Sequence, residues 1–182
     1  MSKLRINAEG IVKLIFSIGL FIFSIIVSIR GENKLIFLPM LFSMIGDISI
    51  MSSRGCITGK RENTFNYGIV AFAFAHILYI ENMQTDIQLL VELASFILFI
   101  FVFYTSFTYN KIIPSIFYAF ILLLNLMNAI YYDKQIMWGL ILFIVSDTIL
   151  AIWEDKNPLW QVPIWVFYVL GQFRIISRFL LL

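Results

Sequence analysis

Asp47, His76 and Asp147 each stand inside a long apolar run of a 182-residue chain. An ionisable side chain at the centre of a membrane helix costs about 3 kcal/mol on insertion scales, so it faces a bundle interior or a wet cavity and serves a function there. The two aspartates share a local pattern: Leu41-Phe42-Ser43-Met44-Ile45-Gly46-Asp47 parallels Ile141-Leu142-Phe143-Ile144-Val145-Ser146-Asp147, a small residue and an acid closing an apolar half-helix. Such echoes accompany internal repeats in membrane proteins, and they also arise by chance between two Leu/Ile/Phe-rich spans. No Lys or Arg stands at a comparable mid-span position except Arg174. A carboxyl group in hydrocarbon without a cation holds its proton and can donate it. Paired acids of this kind suit proton transfer to a substrate and stabilisation of a cation.

Residues three, four and seven apart share a helix face, which extends each acid into a stripe. Ser43 backs Asp47. Asn66, Ala73, His76 and Tyr79 share one side of a helix, as do Tyr118, Asn125, Asn128 and Tyr132, and again Trp165, Tyr168 and Gln172. Five helices thus offer polar groups to one interior. The neutral members have a plainer use as interhelical hydrogen bonds, each contributing about 0.6 kcal/mol. Glu92 either joins the site through Ser95 and Phe99 on its face or, being near a helix start, reaches headgroup water. Arg174 and Arg178, one turn apart, either clasp a lipid phosphate or snorkel to the interface. Trp138, Trp153 and Trp160 near span ends read as interfacial anchors.

The elements that position these residues follow from composition. Hydrophobic residues make up 61% of the chain and charged ones 13%, far from the usage of soluble domains, and a fold of this size cannot bury that much apolar surface. Apolar runs fall at about 11–29, 34–51, 65–80, 87–108, 114–132, 136–153 and 162–181. Each approaches the roughly 20 residues needed to cross a bilayer. The runs are continuous, whereas barrel strands alternate. The expectation is all-α: one integral membrane domain over residues 1–182, a polytopic transmembrane helix bundle of about seven spans. Lys3 and Arg5 precede a first run too long for a typical signal-peptide core and lacking an A-x-A-like cleavage site, so it reads as a retained helix. Lys and Arg favour the side holding the N-terminus and Arg54, Lys60, Arg61, Lys111 and Lys156, which places the N-terminus in the cytoplasm, with the cell (inner) membrane as the expected location.

Several classes drop out. Nucleic-acid binding has no basic stripe behind it. A lipid-acting zinc hydrolase with seven helices needs several histidines, and this chain has one. A retinal pigment needs a mid-span lysine in its last helix. A serine hydrolase needs G-x-S-x-G or another Ser-His-Asp arrangement, which a solitary His76 does not supply. The single cysteine, Cys56, forms no intramolecular disulfide and no metal cluster.

Gly46-Asp47, the run Phe65-x-x-Gly68-x-x-Ala71-Phe72-x-x-x-His76-x-x-Tyr79, Pro114 with Tyr118, Ser146-Asp147-Thr148, and Tyr168-x-x-Gly171-Gln172 occur in this order. In these features the chain resembles the lysoplasmalogenases, the YhhN-like integral membrane proteins, from about residue 34 onward. That family is usually described with eight helices and a Lys-Pro near the start of its second; this chain shows seven runs, offers Lys13-Leu14, and has Gly171 where Ala is usual. The resemblance implies hydrolysis of the vinyl ether bond of a lysoplasmalogen to a fatty aldehyde and a glycerophospho-ethanolamine or -choline. It implies no metal and no cofactor. Asp47 and Asp147 would be the catalytic pair, and His76, Tyr79, Asn128, Ser146, Tyr168 and Gln172 would hold the lysophospholipid and water. The alternative is a small lipid or solute transporter using the same acids and histidine as a proton relay.

Overall fold

The computed structural model describes residues 8–30, 35–55, 64–110, 112–153 and 161–181. These form seven helices and no strand among the described residues: α1 (Ala8–Arg30), α2 (Phe37–Ser53), α3 (Phe65–Glu81), α4 (Gln88–Thr108), α5 (Ile112–Tyr132), α6 (Lys134–Trp153) and α7 (Gln161–Leu181). Each expected run is one helix. The ends agree to within three residues, and α2 starts later than expected, at Phe37. Cys56, Lys60, Arg61, Lys111, Lys156 and Trp160 lie outside the described residues. Helices α1, α4, α5 and α6 are long and apolar enough to cross a membrane by themselves, while α2 and α3 are shorter apolar helices of 17 residues.

Local signals set the ends. Pro39, Pro114 and Pro163 are each the third residue of a helix, where the missing N–H would have had no intrahelical acceptor, so none of the three breaks its helix. Gly55 takes φ 74° after α2, and its N–H meets Ser52 O at 2.9 Å. This left-handed stop ends α2 and leaves Arg54 at the helix terminus. Asp133 alone joins α5 to α6 and caps α6, accepting on Oδ1 from the N–H of Gln135 at 2.8 Å and of Ile136 at 3.3 Å.

The helices α1, α2, α3, α5, α6 and α7 close a ring in that order, and α4 leans on α3 and α5 from outside. The polarity of the bundle is inverted relative to a soluble protein. Leu89, Leu93, Phe96, Ile100 and Phe103 of α4 face outward, whereas Ser17, Ser43, His76, Asn125 and Gln172 are fully buried. Lipid takes the outer apolar surface, and the ring interior takes the polar groups. Two helix pairs approach through glycine. A Cβ on Gly68 would lie 3.1 Å from Gly46 O, and one on Gly171 would lie 2.7 Å from Gly139 O and 3.2 Å from Phe143 N. The departure from alanine at Gly171 therefore has a local reason. Gly171→Ala is expected to destabilise the bundle by about 1–3 kcal/mol, since backbone atoms cannot rotate aside. An unchanged unfolding temperature in detergent would refute this.

Of the two arginines of α7, Arg178 has a partner in the α5–α6 turn at the end of the bundle. Arg178 Nε pairs with Asp133 Oδ2 at 2.8 Å, so its partner is protein rather than lipid phosphate. Burial favours the neutral acid at Asp133, but the Arg178 hydrogen bond and the two backbone N–H donors outweigh it and hold its pKa below the ordinary aspartate value. A carboxylate with a lowered folded-state pKa adds stability above its unfolded pKa, about 3.9, and loses it as the pH falls through the lower folded value. Asp133→Asn keeps a capping oxygen and removes the charge. It is expected to cost at most about 1 kcal/mol at pH 7, because the pair is partly exposed. The gap from wild type should close as the pH falls into that acid range; a gap independent of pH in denaturation curves would count against it.

Candidate active site

Asp47 stands six residues before the end of α2, Asp147 six before the end of α6, and Tyr118 six after the start of α5. At 1.5 Å per residue each is about 9 Å from the same end of the bundle. Tyr168 enters at nearly that depth from α7. At that shared depth Asp47 and Asp147 line one small cavity of about 30 Å³ with Phe72, Ser146, Trp165 and Tyr168. That volume accommodates one or two water molecules.

Each acid is anchored by one oxygen. Ser17 Oγ donates to Asp47 Oδ2 at 2.6 Å, and Tyr168 OH donates to the same oxygen at 2.8 Å. Tyr118 OH donates to Asp147 Oδ2 at 2.7 Å. The Oδ1 of each acid has no hydrogen-bond partner among the described residues. Asp47 is 5% exposed and ties α1 and α7 to α2. Asp147 is half-buried and also faces a second, apolar cavity.

That cavity measures about 310 Å³ and is lined by Ile69 and Phe72 of α3, Tyr118, Ala119 and Leu122 of α5, and Ile144, Asp147, Leu150 and Ala151 of α6. Ala119, Leu123, Ala151 and Ile152 on its rim are exposed, so the groove opens sideways between α5 and α6 into the membrane. Phe72 belongs to both cavities. A larger groove of about 610 Å³ runs between α1 and α7, lined by Val12, Phe16, Val162, Trp165 and Val166, with Lys13 and Gln161. It holds no carboxyl group.

One expectation is corrected here. The acids are not remote from every cation, because Lys13 and Arg54 line the same small cavity. Lys13 is 4% exposed; its Nζ donates to Gln161 Oε1 at 2.9 Å and lies 5.2 Å from the Trp165 ring centre. Both cations start near helix ends, and their long side chains reach the cavity that the two acids line. Sequence reasoning also passed over Ser17. The signal was available: Lys13, Ser17, Leu20, Ser24, Val27 and Ser28 are the buried stripe of α1 at helical spacing.

The remaining candidates divide by depth. Ser146 lines the small cavity, and its Oγ donates to Ile164 O at 2.9 Å, joining α6 to α7. Deeper in the bundle, Tyr79 OH donates to Gln172 Oε1 at 2.7 Å, and Gln172 Nε2 reaches Ser43 Oγ at 3.4 Å. His76 is fully buried, with its Nδ1 2.8 Å from Asn125 Nδ2 and its ring 4.8 Å from that of Phe143, centre to centre. Asn128 lies ten residues beyond Tyr118 on α5, about 15 Å further along the axis. There Thr85 Oγ1 donates to its Oδ1, and its Nδ2 reaches Met83 O at 3.4 Å. Tyr168 thus stands with the acids, while Tyr79, Gln172 and His76 stand behind them and Asn128 near the opposite end. Glu92 accepts from Gln88 Nε2 at 2.5 Å on α4, outside the ring. Among the described residues no three His, Cys, Asp or Glu side chains converge as metal ligands would.

Searches of curated proteins and of solved structures find no match to this chain. The family model of the YhhN family matches residues 9–179, from the first turn of α1 to the last turn of α7. With both motif aspartates, the paired glycines and nearly all of the seven helices inside that match, this integral membrane chain belongs to the YhhN family.

Proposed function

We propose that this protein hydrolyses the vinyl ether bond of lysoplasmalogens, with Asp147 as proton donor and Asp47 as the ionised partner. The observation that carries the reading is the pair of acids on one water-sized cavity, one of them facing an apolar groove open to lipid. Two hydroxyl donors and the nearby Lys13 suit a carboxylate at Asp47, while the single donor and the apolar groove suit a neutral acid at Asp147.

An alkenyl chain in the groove brings its vinyl ether to Oδ1 of Asp147. The proton passes from Asp147 to the β-carbon, and the adjacent carbon and oxygen become an oxocarbenium ion facing two carboxylates. Water from the small cavity adds to that carbon as Asp47 takes its proton. The hemiacetal then collapses: its hydroxyl proton returns to Asp147, Asp47 protonates the departing glycerol oxygen, and a fatty aldehyde and a glycerophospho-alcohol leave. Both acids end as they began. Tyr118 and Tyr168 fix Oδ2 of each acid and so point Oδ1 at the substrate.

Purified protein in detergent, given alkenyl-lysophosphatidylethanolamine, is expected to release aldehyde in step with the glycerophospho-alcohol. A folded protein that releases none from ethanolamine or choline substrates would overturn the reading; ion-coupled flux without bond cleavage would favour a transporter. The acids lie at the end of the bundle that carries the N-terminus, and the distribution of Lys and Arg supports a cytoplasmic mouth. With that orientation, Cys56 reacts with an impermeant maleimide only after cells are opened. Labelling of intact cells would reverse the topology.

A further inference from the structure

We infer that Phe72, with Ile50 and Leu150, is a partition that decides which nucleophile captures the reaction intermediate, admitting water from the small cavity and excluding the substrate's own glycerol hydroxyl. The inference rests on the ether-hydrolase reading for that intermediate. Four residues line both the apolar groove and the small cavity: Ile50 of α2, Phe72 of α3, and Asp147 and Leu150 of α6. The wall shared by the two spaces is thus apolar except for the acid that donates the proton. Asp47 lines the small cavity and not the groove.

Helix packing fixes the partition. A Cβ on Gly46, the residue before Asp47, would lie 2.6 Å from Cε2 of Phe72, and one on Gly68 would lie 2.8 Å from Cγ1 of Ile50. The two glycines that let α2 and α3 approach therefore also seat these two side chains. Phe72 is 7% exposed, and its ring meets those of Phe143 and Tyr168 edge to face, with centres 6.1 Å and 6.2 Å apart. Tyr168 is the residue that holds Asp47.

The chemistry of a lysoplasmalogen requires such a wall. Once the β-carbon is protonated, the oxocarbenium carbon can be attacked by water or by the hydroxyl on the middle carbon of the glycerol. Water leads through the hemiacetal to the aldehyde. The hydroxyl oxygen would instead bond to the same carbon, close a five-membered cyclic acetal and give its proton to a carboxylate. No water is consumed and no bond to glycerol breaks, so this product is an isomer of the substrate. An internal nucleophile has the advantage of proximity, and hydrolysis therefore needs it held out of line. The small cavity, about 30 Å³, takes one or two waters and not a hydroxyl carried on glycerol carbons. The groove runs on past Thr148 and Ile152 of α6 and Ser115 of α5 toward the end of the bundle. Glycerol and head group leave by that route, on the far side of Phe72 from Asp47, and water alone stands beside the base.

The test is the ratio of cyclic acetal to aldehyde formed from alkenyl-lysophosphatidylethanolamine, read by chromatography with mass spectrometry and corrected for a protein-free blank. Unfolded protein makes neither product, so the ratio reports the folded site. Wild type is expected to give aldehyde as its main product. Phe72→Ala should raise the ratio tenfold or more, the scale on which one pocket group discriminates. Phe72→Leu, which keeps an apolar group in the wall, should stay close to wild type. Ile50→Ala should move the ratio in the same direction, and it carries the test where the larger deletion prevents folding. Leu122→Ala, in the groove wall alone, should leave the ratio at its wild-type value. A ratio unmoved in both Phe72→Ala and Ile50→Ala overturns the partition, as does an equal rise in Leu122→Ala; aldehyde release by wild type then still upholds the hydrolase reading. Acetal as the main product of wild type also overturns the partition. Neither product from a folded wild type removes the hydrolase reading and the partition with it.

Discussion

Conversion of Asp147 to asparagine is expected to lower the rate of aldehyde release by roughly 10²–10⁴-fold, the range that a positioned general acid contributes. Carbon is a poor proton acceptor, and water in an apolar groove cannot replace a neutral acid already aimed at it. An amide keeps the shape and the acceptor oxygen for Tyr118 OH, 2.7 Å away in the wild type, so the loss reports chemistry more than folding. Asp47→Asn should fall in the same range for a different reason: the oxocarbenium ion loses its countercharge and the attacking water its base. Retained binding of an uncleavable alkyl-ether analogue would show that either variant is folded. A loss of less than tenfold in both would rule the pair out as the catalytic acids.

Much of this site was legible because the bilayer makes polar residues conspicuous. Asp47 and Asp147 stood out by type alone, and each stands six residues before the end of its helix, at a common depth. What was not legible was register between helices. Tyr118, Asn125 and Asn128 share a face of α5, as expected, but a face is a line some 15 Å long, and only Tyr118 reaches the level of the acids. Lys13 was noted only as part of Lys13-Leu14, and its place on the cavity of the acids depends on where its Nζ finishes after the stem is extended. The serines of α1 were missed for a thermodynamic reason: a serine costs so little in an apolar helix that its presence carries almost no information until its spacing is compared with that of its neighbours. The outward place of α4 could not be read either, since its apolar residues look the same whether they meet lipid or another helix.

Narrowing the α5/α6 groove is expected to change which substrates are cleaved more than how fast the best one reacts. A tail leaving the membrane passes from one apolar medium to another, so the roughly 0.8 kcal/mol per methylene gained on leaving water is not available to select chain length. Selection then rests on shape and on dispersion contacts with the walls. Ala119 sits on the exposed rim beside Tyr118 and lines the cavity of about 310 Å³, and a larger side chain there fills the groove without emptying the core. Ala119→Trp should therefore reduce the ratio of kcat/KM for a long-chain alkenyl substrate to that for a short-chain analogue by at least tenfold. Val166→Trp, in the wider α1/α7 groove that holds no carboxyl group, should leave that ratio near its wild-type value. The reverse result, selectivity lost in Val166→Trp and kept in Ala119→Trp, would place the tail between α1 and α7. The vinyl ether would then approach Asp47 first, and the roles assigned to the two acids would have to be exchanged.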